Sequence, residues 1–149
     1  MGFGSQSAKV TAQVPQMQFY PGQRLQLTVQ IDNTKSKNDI RAVVFSLVRI
    51  LTSKSATSSQ NTRSELNIWR TSESGVEKNQ KVKREYNLAI PLDSSVKAHV
   101  KSPLVPTWFG SLFQVDYELR IELEGAKDAS LHVPIRILQL PRLRKRIAH

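Results

Sequence analysis

At 149 residues the chain has the length of one domain, long enough to bury roughly 70% of the surface its unfolded form exposes and so to build a core without covalent staples. It contains no cysteine, which excludes disulfides and thiolate metal sites and fits a reducing compartment. Lys and Arg outnumber Asp and Glu by 22 to 12, a formal net charge of +10 that favours polyanionic partners (anionic lipid, phosphopeptides, nucleic acid) without selecting among them.

The apolar stretches are interrupted every few residues, so none approaches the roughly 20 residues of a membrane-crossing helix. Residues 1–7 read as a leader or cloning remnant, 8–140 as one domain and 141–149 as a basic tail. The expected location is cytoplasmic, with a peripheral position at membranes open to it.

Ala8 to Val14 is a first candidate strand, ended by Pro15. Tyr20-Pro21-Gly22-Gln23 has the residues of a type II turn, because Pro21 presets φ at the second position and Gly22 tolerates a positive φ at the third. Leu25, Leu27, Val29 and Ile31 then alternate with polar residues, as in a strand with one buried face, and Asp32-Asn33-Thr34 supplies the stop. Ile40 to Leu51 is apolar on both faces, and its Val, Ile and Phe content selects strand over buried helix. A polar loop, TSKSATSSQN, occupies 52–61. Glu65 to Thr71 carries Leu66 and Ile68, and the following stretch to Gln80 is polar, with Gly75 inside it.

Val82, Arg84, Tyr86, Leu88 and Ile90 form one face of the next strand, with Lys83, Glu85, Asn87 and Ala89 on the other. In LFQVDYELRIELEG the alternation is sharpest: Phe113, Val115, Tyr117, Leu119, Ile121 and Leu123 face inward, against Gln114, Asp116, Glu118, Arg120, Glu122 and Glu124. After a turn at Gly125 to Asp128, Leu131, Val133, Ile135 and Ile137 alternate through a last strand, which Pro134 restricts to an edge or bulge. About seven strands at hairpin spacing, with no helical period, predict an all-β, immunoglobulin-like antiparallel sandwich.

The order of these segments resembles the C-terminal domain of the arrestin family. In that family a Pro-Gly turn opens a strand ending in Asn, a later strand ends in Ile-Pro, and a Val-x-Tyr-x-Leu strand precedes a final strand carrying Pro-Ile. The matching residues are Pro21, Gly22, Asn33, Ile90, Pro91, Val115, Tyr117, Leu119, Pro134 and Ile135, across about residues 8 to 138. The resemblance implies a non-enzymatic adaptor or scaffold that binds membrane cargo or trafficking proteins in sorting or endocytosis. It also implies an N-terminal arrestin-like domain as a partner, which would make the chain a fragment or an unusual single-domain member. No Pro-Pro pair is present, so the Pro-Pro-x-Tyr tails by which many α-arrestins recruit ubiquitin ligases are missing, and the arrestin-like subunit of retromer, which lacks such tails, remains a candidate relative.

Catalytic and metal constellations do not emerge. His99, His132 and His149 are far apart and lack zinc spacing. Asp116, Glu118 and Glu122 share a face, but Arg120 interleaves with them as in a solvated surface. Asp32, Asp39, Asp93 and Asp128 are scattered singly, unlike a calcium site. No cofactor or metal is expected.

Two features remain as candidate binding residues. Trp108 and Phe109 lie in a Pro/Gly-bounded connection, either as an exposed partner anchor or as a lid on the end of the core. Positive charge gathers at Lys78, Lys81, Lys83 and Arg84 and again at Arg142, Arg144, Lys145 and Arg146. The two clusters are expected to form one polyanion-binding surface for anionic lipid or phosphopeptide; the competing reading is solubility. The rival function is therefore an electrostatic binder of anionic membrane or nucleic acid. Nucleic acid is the weaker partner, because the aromatic residues fall mostly at inward positions.

Overall fold

Period-two alternation needs two apolar faces to meet, and the chain provides them as two sheets packed face to face. The computed structural model describes residues 8–54, 61–92, 104–126 and 129–139. Among these there are strands and turns but no helix. In chain order the strands are β1 (Lys9–Gln13), β2 (Gln18–Phe19), β3 (Arg24–Asp32), β4 (Ile40–Lys54), β5 (Asn61–Val76), β6 (Lys81–Ala89), β7 (Trp108–Phe109), β8 (Phe113–Glu124) and β9 (Ser130–Ile137).

One sheet has three strands in the order β1-β3-β6; the other has the order β2-β9-β8-β4-β5, with β7 added to β8. All pairings are antiparallel except the two-residue contact of β2 with β9. Leu25, Leu27, Val29 and Ile31 of β3 face Phe45 and Leu47 of β4 and Tyr117, Leu119 and Ile121 of β8 across one continuous core.

The Pro-Gly turn forms as expected. Gly22 has φ 91°, and Gln23 N donates to Tyr20 O at 3.1 Å. The same turn is bonded to the Ile90 segment in both directions, through Gly22 N to Ile90 O (2.9 Å) and Ile90 N to Gln23 O (2.8 Å). Asn33, fully buried just past the end of β3, donates Nδ2 to the carbonyls of Asn38, Val76 and Glu77, which ties the β3–β4 loop to the end of β5 and the turn that follows it.

Several expectations change in detail. β5 is one strand of 16 residues where the sequence shows only a short apolar stretch. It is an edge strand, polar on its outer side, and its alternation is broken by a bulge where Ile68 and Trp69 meet the core together. The expected loop at 52–61 is shorter, since Thr52–Lys54 and Asn61 are paired, and 55–60 lies outside the described residues. Phe113 has inward parity but is 47% exposed, because β8 begins beyond the end of the core. Pro134 does sit at an edge: Arg136 donates its amide to Met17 O, just before β2, and Leu138 to Phe19 O, so the missing donor of Pro134 points to the same side, before β2 begins to pair.

Candidate interaction surfaces

The outer face of the larger sheet shows why β4 is apolar on both sides. Val44, Val48 and Ile50 point away from the core yet are buried, flanked on β8 by Glu122, Glu118 and Asp116. Arg120 crosses over β4 to Glu65 on β5, bonding both carboxylate oxygens at 2.9 and 2.8 Å, and also holds Glu118 at 3.1 Å. These hydrogen bonds push the Arg120 guanidinium further above its ordinary value and hold the Glu65 carboxyl below its own. His132, on the outer face as expected, lies 3.5 Å from Glu118, which Arg120 also holds, while Asp116 accepts from the Gln114 side-chain amide. Among the described residues no group of His, Asp and Glu is placed to hold a metal ion.

The basic residues separate. Lys81 and Lys83 project from the outer face of the three-stranded sheet, in register with Asp32 and Gln30, and Lys9 faces Asp32 from β1. The Asp32 carboxyl is held below its usual value, first by the Thr34 hydroxyl and amide and then by Lys81 and Lys35. Lys78 is exposed in the turn between β5 and β6, its amide bonded to Asp39 at 2.7 Å. Arg84 departs from these three: it points inward beside Val82 and Tyr86, and its guanidinium forks onto the carbonyls of Ser74 and Gly75 on β5, lacing the two sheets together. Arg142, Arg144, Lys145 and Arg146 lie outside the described residues. The tail follows Gln139, at the end of β9 remote from the Lys78 turn, so the root of the tail and the Lys78 cluster stand at opposite ends of the sandwich.

At the tail end, β7 pairs with the start of β8, and Gly110 N donates to Phe113 O at 2.9 Å, closing a tight hairpin. A Cβ at Gly110 would stand 2.6 Å from the Trp108 indole nitrogen and 3.0 Å from Phe113 O, so a larger residue there would displace the indole from its present position. Trp108 stacks on Phe113 with centroids 6.5 Å apart. Trp108 is 54% and Phe109 60% exposed, joined by Leu112 at 57%, so neither aromatic of β7 lids the core. Trp108 and Phe113 are on the core side of the sheet and Phe109 is on the other, over a groove of about 520 Å³ that includes Met17, Ile50 and Pro134. In the sequence Leu112 and Phe113 are apolar residues that follow Gly110-Ser111, and alternation alone assigns Phe113 to the core.

With this geometry in place, the family model for "Arrestin (or S-antigen), C-terminal domain" matches residues 4–142. The chain belongs to the arrestin C-terminal domain family. Domains of this family are generally non-enzymatic and act broadly as adaptors. A solved structure with the same fold is that of Spo0M, a sporulation control protein from Bacillus subtilis, with a TM-score of 0.61 at 19% identity. The likeness covers 90% of this arrestin domain and 50% of Spo0M, so the chain spans about half the length of that protein. A search of curated proteins finds no match. The residues that carry the arrestin resemblance are structural here: Ile90, Val115, Tyr117, Leu119 and Ile135 are in the core, and Pro21, Gly22 and Asn33 shape turns around it.

Proposed function

We propose that this arrestin domain is a non-enzymatic adaptor, cytoplasmic and peripheral to membranes, that engages membrane cargo or trafficking machinery through the end of the sandwich bearing Trp108 and Phe109. The observation that supports this reading is the gathering of Trp108, Phe109, Leu112 and Phe113, each about half exposed, on one hairpin of a domain that has ample core in which to bury them. A photo-reactive amino acid placed at Phe109 in cells, with a second at Thr28 on the outer face of the three-stranded sheet as control, tests it. Integral membrane or sorting proteins should be attached at 109 and not at 28. Identical products at both positions would overturn the reading.

A second reading, the electrostatic binder of anionic membrane or nucleic acid, is favoured by the outward Lys9, Lys81 and Lys83 on one polar sheet face. Reversal of all three to Glu should then abolish binding to anionic vesicles or to a nucleic-acid oligomer while leaving the products at 109 unchanged.

A further inference from the structure

We infer that the groove beneath Phe109 takes an extended peptide segment of a partner protein, one that sets a basic and an acidic side chain among apolar ones. This rests on the reading of the Trp108–Phe109 end as the working surface and names the chemistry of its partner. The groove exists because β8 changes neighbours. Tyr117 and Glu118 pair with Ile135 and Pro134 of β9, whereas Val115 and Gln114 pair with Trp108 and Phe109 of β7, so Asp116 falls at the exchange with no residue opposite it on that side. There β9 turns towards β2, with Arg136 N bonded to Met17 O at 2.8 Å, and the divergence opens a space of about 520 Å³, within the range of peptide and ligand clefts. It crosses the outer face over β5, β4, β8 and β9 to Met17, roughly 19 Å at strand spacing, the length of about six extended residues.

The charges of the groove select the segment. Arg63 is held by Glu65 at 3.1 Å, and Glu118 by Arg120 at 3.1 Å. Asp116 and Arg136 are left uncommitted: among the described residues neither makes an ion pair, and Asp116 accepts only from the Gln114 side-chain amide. They stand on neighbouring strands just where those strands part, Asp116 half-buried and Arg136 exposed. A basic side chain seated on Asp116 finds a carboxylate oxygen still open to a charge-assisted bond, beside the Phe109 ring. An acidic side chain one or two residues along meets Arg136. Between and around them Ile50, Pro134 and Met17 give an apolar floor. A partner of a single sign of charge satisfies one of the two groups and is repelled by the other, so a mixed-charge segment is the complementary occupant.

A displayed library of random seven-residue peptides, panned against the immobilised full chain, tests the groove, with affinities of the enriched peptides then measured by fluorescence anisotropy. Enriched peptides should carry a basic and an acidic residue within two positions of each other, flanked by apolar residues. Asp116→Asn and Arg136→Gln should each weaken them about fivefold, and Phe109→Ser at least about tenfold. The double variant Asp116→Arg, Arg136→Asp should prefer the same peptides with their two charges exchanged, a reversal that a loss of folding does not produce. Enrichment of nothing, enrichment of peptides of one charge sign, or binding that is equal in the parent, Asp116→Asn and Arg136→Gln overturns the proposal. So does self-association of the parent in the ultracentrifuge that Phe109→Ser abolishes, since the groove is then covered by a second copy. If peptides fail while cross-links at 109 still recover sorting proteins, the hairpin meets a folded partner and only the peptide groove falls; if cross-links fail too, both readings fall.

Discussion

Arg120 and Glu65 meet across an intervening strand, joined by two hydrogen bonds of 2.9 and 2.8 Å that roof over the outward valines of β4. The arginine contributes its apolar stem as well as its charge. Arg120→Met keeps the stem and should lower Tm by about 2–4 °C, less at high salt, as read by calorimetry. Because Arg120 holds the Glu65 carboxyl below its ordinary 4.5, its contribution is present above that value and is lost as pH falls through the lower folded value. The Tm difference between parent and Glu65→Gln should therefore shrink below that pH.

The register of β8 predicts asymmetric mutational costs. Leu119 is in the core opposite Leu47, while Glu122 is exposed. Leu119→Ala should cost about 2–5 kcal/mol in a urea titration, and Glu122→Ala within roughly 0.5 kcal/mol. Equal costs would mean a one-residue slip, which inverts every face.

Asn33 is expected to tolerate neither charge nor truncation. Its Nδ2 serves three carbonyls with no solvent to replace it. Asn33→Asp sets a carboxylate against those acceptors and should destabilise by about 3 kcal/mol or more, exceeding the loss in Asn33→Ala, as measured by denaturant unfolding.

Tyr117 gives an alkaline signature. Its hydroxyl donates to Val105 O, and burial pushes its pKa from 10.0 to about 12. The folded state thus favours the neutral phenol, and this contribution is complete below 10.0 and lost as pH rises towards about 12. Tyr117→Phe should be less stable by about 1 kcal/mol near neutrality, with the gap to the parent closing over that alkaline window.

Alternation in β3, β6 and β8 settles which side chains face the core, because a strand's side-chain period is two and water selects the polar face. The turn at Pro21 and Gly22 is equally local, since it depends on φ preferences of single residues. The extent of β5 is not legible in this way: Asn61 to Glu65 and Ser72 to Val76 are strand because β4 offers a partner along its full length, a pairing that no local pattern encodes. The same holds for charge. Arg84 reads in the sequence as one of a basic cluster and Arg120 as a cation among solvated acids, yet one laces two sheets and the other bridges three strands, because a cation's partner is set by which strands lie beside its own. Trp108 and Phe109 carry aromatic character at any fold position; only where β7 pairs, past the end of the core, decides that both are exposed.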